Sequence, residues 1–297
     1  MGPVDPGTTS PSGAAAPFGD RLRAAMDACG PLAVGVDPHP ELLSAWGLPD
    51  DPSGLERFAL TCAEALGGVV AAVKPQSAFF ERHGSRGTAV LERLLAELAA
   101  AGTLSVLDVK RGDVGSTMAA YAQAHLVDGA PLAADAVTLS PYLGLGSLRP
   151  ALDLAASTGR GAFVLALTSN PEGASVQHAR DGGGVPVAAA VARGVARENA
   201  EATRRGALGS VGLVVGATTG DAAARLGLDL ASTAAPLLAP GVGAQGAGPA
   251  ELAAVFGDAR RQVLATSSRG VLAAGPRAAD VRAAARDLAG RCADALG

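Results

Sequence analysis

The sequence predicts a single-domain α/β protein that folds as a closed (β/α)8 barrel. Eight short apolar runs alternate with segments of helical periodicity, and 297 residues are the length of one large barrel. The runs are continuously apolar, as expected for parallel strands covered on both faces. Polar or charged residues follow these runs, at the strand ends where such barrels hold their active sites. A doubly wound open sheet is the alternative fold for this alternation.

The elements follow one another regularly along the chain. Residues 1–16 are rich in Pro, Gly and Ser and are predicted to be a disordered leader, followed by a barrel catalytic domain at 17–297. Strands are predicted at 32–37, 69–75, 104–110, 136–139, 162–167, 211–216, 236–240 and 262–266. Helices are predicted at 18–29, 54–67, 86–101, 115–127, 249–256 and 278–296. Two further helices are predicted to end at residues 158 and 205. The Gly-rich segment 171–185 is predicted to be a rim loop or lid.

The composition restricts the class of protein. The net charge is −4, and the chain has neither a basic tract nor aromatic platforms, so nucleic acid is not expected as a partner. Three scattered cysteines without a C-x-x-C pair argue against disulfides and predict a reducing, cytoplasmic location. No apolar run approaches the ~20 residues of a membrane span, and the N-terminus does not have the pattern of a signal peptide.

The most informative segment is 104–117, in which an apolar strand ends in the pattern D-x-K-x-x-D formed by Asp108, Lys110 and Asp113. Alternation along a strand places Asp108 and Lys110 on the same side. Only Lys74 and Lys110 are lysines among the 24 basic residues, and both stand at predicted strand ends. An ammonium can donate a proton, whereas a guanidinium effectively cannot. We therefore predict that both lysines have proton-transfer or point-charge roles.

The loops after the seventh and eighth strands predict a phosphate site. Residues 241–248 contain four glycines and Gln245, and Arg269-Gly270 follows the eighth strand. Glycines let backbone N–H groups approach an anion, and an arginine offers two parallel hydrogen bonds. Asp37 and Ser140 also stand at strand ends. Two simpler roles stay open: Asp113 could cap the helix that follows it, and Ser140 could belong to a turn.

These residues and their order resemble the orotidine 5′-phosphate decarboxylase family. The resemblance rests on Asp108-Val-Lys-Arg-Gly-Asp-Val-Gly-Ser-Thr117, the segment Lys74-Pro-Gln-Ser-Ala-Phe-Phe-Glu81, and the 138–142 and 240–246 segments. The Lys-Pro-Gln form and the long 171–185 loop resemble the larger bacterial subgroup.

The resemblance implies roles for individual residues. Lys74, Asp108, Lys110 and Asp113 would form an alternating charge network, with Lys110 as the proton donor. Six further residues would bind substrate: Asp37, Thr117, Ser140, Gln245, Arg269 and Gly270. Asp113 and Thr117 would reach the neighbouring subunit's site, so the active form would be a homodimer. The implied reaction converts orotidine 5′-phosphate to uridine 5′-phosphate in pyrimidine biosynthesis, without a metal or organic cofactor.

Two alternatives remain at the level of sequence. One is a Mg²⁺-dependent phosphosugar decarboxylase or aldolase that shares the barrel and the D-x-K-x-x-D pattern. The other is a non-catalytic nucleotide-binding barrel, which the retention of both lysines disfavours. The four histidines, at positions 39, 83, 125 and 178, do not have metal-ligand spacing and are expected at the surface or behind the site.

Overall fold

The structure is a computed structural model that describes residues 16–243 and 248–297. Eight parallel strands pair in sequence order, and the eighth pairs with the first to close the barrel. They are β1 (Leu32–Val36), β2 (Ala72–Pro75), β3 (Leu104–Arg111), β4 (Ala136–Leu139), β5 (Gly161–Leu167), β6 (Val211–Val215), β7 (Leu237–Pro240) and β8 (Val263–Ser267). The closed barrel confirms the predicted fold and excludes the open sheet.

Helices surround the barrel and connect its strands. In the part of the chain that the structure describes, they are α1 (Phe18–Cys29), α2 (Pro40–Ala45), α3 (Pro52–Leu66), α4 (Ser77–Glu81), α5 (Gly84–Ala100), α6 (Gly115–Leu126), α7 (Arg149–Ser157), α8 (Ala174–Gln177), α9 (Val187–Glu198), α10 (Ala200–Arg204), α11 (Ala222–Arg225), α12 (Pro249–Phe256), α13 (Arg269–Leu272) and α14 (Ala278–Leu296). The predicted loop 171–185 contains the short α8, and the helix predicted to end at 205 is two helices divided at Asn199. Of the predicted leader, only residue 16 lies among the described residues.

Two apolar clusters hold the barrel together. The larger one lies between the strands and the surrounding helices. The smaller one fills the barrel interior, where Phe18 and Leu22 of α1 pack against inward side chains such as Phe163. The Phe18 and Phe163 rings meet edge to face with centroids 5.9 Å apart. A Cβ at Gly161 would lie 2.2 Å from the Phe18 ring, so the glycine makes room for it. Because α1 and these side chains fill the interior from the amino ends of the strands, the site is expected at the carboxyl ends.

The end of β3 departs from regular strand geometry. The register between β3 and β4 shifts between Leu107 and Arg111, as at a β-bulge. Lys110 has a φ of 46°, a left-handed conformation that costs a non-glycine residue about 1–3 kcal/mol. Strained backbone of this kind concentrates at functional sites, so the bulge indicates a functional role for Lys110. Among the described residues, no helix is long and apolar enough to cross a membrane.

Candidate active site

A cavity of about 320 Å³ opens at the carboxyl ends of the strands. Its wall contains five of the predicted site residues together with polar side chains that had no predicted role. The predicted residues are Asp37, Lys74, Asp108, Lys110 and Arg269. The others include His39, Gln76, Thr138, Thr168, Ser169, Thr266, Ser267 and Ser268. The barrel therefore brings together residues from all eight strands or the segments that follow them.

Alternating charges form a line across this cavity. Lys74 Nζ lies 3.1 Å from Asp108 Oδ2 and 3.8 Å from Asp37 Oδ1. Lys110 Nζ lies 2.6 Å from Asp108 Oδ1. Asp108 thus stands between two ammonium groups, and Lys74 stands between two carboxylates. The Lys74 side chain is almost completely buried, whereas 46% of the Lys110 side chain is exposed to the cavity opening.

The array keeps its central groups charged. Burial works against the charge of Lys74, but Asp37 and Asp108 outweigh that effect and raise the pKa of Lys74 above its ordinary value. Burial likewise favours the protonated form of Asp108, yet Lys74 and Lys110 lower the pKa of Asp108 far below its ordinary range. Lys74 and Asp108 are therefore both ionised at neutral pH although both side chains are buried.

Neutral donors fix the Asp108 carboxylate. Gln76 Nε2 donates to Asp108 Oδ2 at 3.0 Å, and the Thr138 hydroxyl donates to Asp108 Oδ1 at 2.7 Å. The same hydroxyl accepts the backbone N–H of Lys110 at 2.9 Å. This contact supplies the Lys110 N–H with a partner at the bulge. Thr138 therefore holds both the carboxylate and the strained backbone of the neighbouring lysine.

The opposite end of the cavity has the glycines and the arginine expected of a phosphate site. Gly241 and Gly243 adopt φ values of 110° and 86°, which favour glycine. Gly241 and Arg269 line the cavity, and the buried Ser267 hydroxyl lies beside Gly243 and Gly270. The predicted phosphate ligand Gln245 lies outside the described residues.

Four predicted site residues stand outside the cavity wall of their own chain. Asp113 accepts a hydrogen bond from the N–H of Val114 at 2.8 Å, and α6 starts at Gly115 without a side-chain cap, so Asp113 does not cap the helix. Thr117 is exposed on α6. Ser140 donates its backbone N–H to the Arg111 carbonyl at 2.8 Å. Gly270 lies in α13, next to the Ser267 hydroxyl.

Three neutral residues without a predicted individual role contact the charged residues directly: Gln76, Thr138 and Ser268. A signal was present for two of them. Gln76 stands two positions after Lys74, which is the same-side spacing of a strand, and Thr138 is the one polar residue within β4. His39, expected at the surface or behind the site, lines the cavity, and its ring lies 4.2 Å from that of Phe79.

Among the described residues, no group of three or more His, Cys, Asp or Glu side chains is arranged to hold a metal ion.

The fold and the cavity define the class: a (β/α)8-barrel enzyme with alternating charges at the carboxyl ends of its strands. Residues 30–284 match the sequence model of the orotidine 5′-phosphate decarboxylase / HUMPS family. The chain belongs to this family.

Relatives extend the similarity over almost the whole chain. A protein of Salinispora arenicola named orotidine 5′-phosphate decarboxylase is 60% identical over 94% of this chain and 98% of its own length. A protein of Streptomyces coelicolor with the same name is 58% identical over 91% of this chain and 94% of its own length. A solved structure from Streptomyces avermitilis, described provisionally as the same enzyme, has a TM-score of 0.91 and 57% identity and covers 95% of this chain and 97% of that one. The Leishmania donovani OMP decarboxylase structure has a TM-score of 0.70 and 31% identity, and the match covers 94% of this chain and 98% of that one.

Proposed function

We propose that this chain decarboxylates orotidine 5′-phosphate to uridine 5′-phosphate, with Lys110 as the proton donor. The observation that carries the proposal is the contact of Asp108 with two lysines, at 3.1 and 2.6 Å, in the cavity at the strand ends. The names of relatives at 58–60% identity support the same activity. They also favour it over a phosphosugar enzyme of the same barrel.

The charge array suits the loss of CO2 from a pyrimidine ring. Asp108 would face the substrate carboxylate, and their repulsion disappears as that carboxylate leaves as neutral CO2. The C6–carboxylate bond breaks and its electron pair stays on C6, where the ammonium of Lys110 stabilises the developing negative charge. A proton then moves from Lys110 Nζ to C6, and the lysine regains a proton from solvent. Because Gln76 and Thr138 already hold Asp108, these charges stabilise the transition state with little reorganisation.

The remaining residues would bind the nucleotide away from C6. Asp37, which lines the cavity beside Lys74, would accept hydrogen bonds from ribose hydroxyls. Arg269 and the backbone near Gly241 and Gly270 would hold the phosphate, together with Gln245. Ser140 would contact the pyrimidine amide. Binding energy from the distant phosphate can then help to position the ring against Lys110.

We also propose a homodimer with shared active sites. Asp113 and Thr117 stand outside the cavity of their own chain, where they could reach a partner's cavity. Apolar side chains near them are exposed. They are Val114 at 56%, Tyr121 at 37%, Tyr142 at 78% and Leu143 at 52%. Exposed apolar residues grouped in this way are typical of an interface between proteins.

Loss of the pyrimidine absorbance of orotidine 5′-phosphate, with CO2 release, tests the activity. Lys110→Ala should abolish turnover while circular dichroism shows an intact fold, because the proton donor is lost. Wild-type turnover that stops in excess chelator would favour the Mg²⁺-dependent alternative. Tight nucleotide binding without CO2 release would favour a non-catalytic barrel.

Mixing two inactive variants tests the shared site. A mixture of Asp113→Ala and Lys110→Ala should recover part of the activity, because half of the sites in a mixed dimer lack both substitutions if Asp113 acts in the partner's site. Mass spectrometry of the mixture must show that subunits have exchanged. Exchange without recovered activity would refute the sharing of residues between subunits.

A further inference from the structure

Ser268 links the two ends of the cavity. Its hydroxyl donates to Asp37 Oδ2 at 2.6 Å, and Arg269 is the next residue in the chain. All three residues line the cavity. One side chain therefore joins the segment that carries the arginine of the phosphate site to the carboxylate at the start of the charge array.

The barrel is shaped to allow this contact. β1 and β8 pair in register, with Val34 opposite Ser267, so Gly35 and Ser268 lie at neighbouring levels. A Cβ at Gly35 would lie 1.9 Å from Ser268 Oγ. A side chain at position 35 would displace the hydroxyl from its place, so the hydrogen bond depends on glycine there. The contact belongs to the junction where the first and last strands close the barrel.

The contact holds one oxygen of Asp37 and directs the other toward Lys74. Ser268 occupies Oδ2, while Oδ1 is buried without a hydrogen-bond partner among the described residues and faces Lys74 Nζ at 3.8 Å. Lys74 in turn contacts Asp108, which contacts Lys110. A continuous set of contacts therefore leads from the segment of Arg269 to the proposed proton donor.

We propose that Ser268 is a positioning residue that couples binding of the substrate phosphate to the orientation of Asp37 and the charge array. The proposal rests on the proposed function. A phosphate held by Arg269 immobilises the segment after β8, and the Ser268 hydroxyl then fixes Asp37 for its contacts with ribose and Lys74. On this proposal, a nucleoside without a phosphate leaves Arg269 without that partner, and the hydrogen bond from Ser268 then orients Asp37 less effectively.

The test compares Ser268→Ala with the wild type on two substrates, orotidine 5′-phosphate and orotidine, which lacks the phosphate. We expect kcat/KM to fall about tenfold or more for the phosphorylated substrate, the effect of losing a hydrogen bond to a charged group, and less than about threefold for orotidine. Affinities for uridine 5′-phosphate and uridine, measured by calorimetry, should show the same difference. If Ser268→Ala lowers kcat/KM and affinity by the same factor with and without the phosphate, Ser268 only orients Asp37. If it lowers neither quantity, the contact is unimportant. Either result overturns the coupling.

Two further variants sharpen this experiment. Ser157→Ala, an exposed serine at the end of α7, is the matched control and should leave both substrates unaffected. Gly35→Ala should reproduce the losses seen in Ser268→Ala. The double variant should lose less kcat/KM than the product of the two single losses, because both substitutions remove the same contact. Independent, multiplicative losses would contradict the role of Gly35. A wild type that does not turn over orotidine 5′-phosphate at all would refute the proposed function instead, while the calorimetric comparison would still decide the coupling.

Discussion

Replacing Thr138 by Val tests whether the array depends on a neutral hydroxyl. The change keeps the shape of the side chain and removes its oxygen. That oxygen donates to Asp108 at 2.7 Å and accepts the N–H of Lys110 at 2.9 Å. Only 1% of Thr138 is exposed, so water cannot readily replace the lost contacts.

The magnitude follows from these two contacts. A hydrogen bond to a charged group contributes about 1.5–3 kcal/mol, and a buried N–H without a partner costs about 1–3 kcal/mol. We therefore expect the free energy of unfolding to fall by about 3 kcal/mol. The Lys110 backbone, held at a φ of 46°, should also relax and move the ammonium. A displacement of about 1 Å of a reacting group can lower the rate about 100-fold, so we expect that loss in kcat/KM.

Urea unfolding and steady-state kinetics measure both quantities. Thr138→Ser keeps the hydroxyl and should retain kcat/KM within about threefold of the wild type, because only a methyl group is lost. Thr88→Val is the matched control at a half-buried position of α5, away from the cavity, and should change stability by less than about 0.5 kcal/mol. A Thr138→Val variant with wild-type kcat/KM would refute the proposed support of Asp108 and Lys110.

Two other predictions concern the ends of the array. Arg269→Ala should weaken binding of uridine 5′-phosphate much more than binding of uridine, by about 1.5–3 kcal/mol in a calorimetric comparison, and an equal loss for both would argue against phosphate contact. The pH dependence of stability should have a plateau. The pKa of Asp108 is lower in the folded protein than its ordinary value of 3.8, so the charged carboxylate stabilises the fold at pH values above 3.8. This stabilisation is lost as the pH falls below 3.8. The pKa of Lys74 is higher in the folded protein than its ordinary value of 10.5, so the ammonium stabilises the fold at pH values below 10.5. This stabilisation is lost as the pH rises above 10.5. Chemical unfolding across this range should show a decline at both extremes, and unchanged stability at both extremes would contradict the charge array.

Periodicity was sufficient to predict the barrel, because eight buried parallel strands require apolar runs that are separated by helices. The strand boundaries of β4 were predicted at Ala136 and Leu139, as the structure has them. β2 starts at Ala72, three residues after the predicted start, because Val69 to Ala71 are buried without joining the sheet. Burial and strand pairing give similar apolar patterns, so the sequence could not separate them.

For the site, the sequence identified charged residues better than the neutral ones that support them. Lys74, Asp108 and Lys110 were recognisable because charge is unusual at the end of an apolar run. Thr138 and Ser268 were not, since a hydroxyl in a strand or turn is common and its importance lies in a partner far along the chain.

The sequence by itself determined which residues carry charge, where strands end, and that those ends would gather on one side of a barrel. Only the tertiary structure decided which of them touch. It placed a bulge at Lys110, directed the Ser268 hydroxyl toward Asp37, and left Asp113 and Thr117 outside the cavity of their own chain. The physical reason is that local patterns specify strands and helices, whereas hydrogen bonds between distant residues depend on strand register and on the space that neighbouring side chains leave.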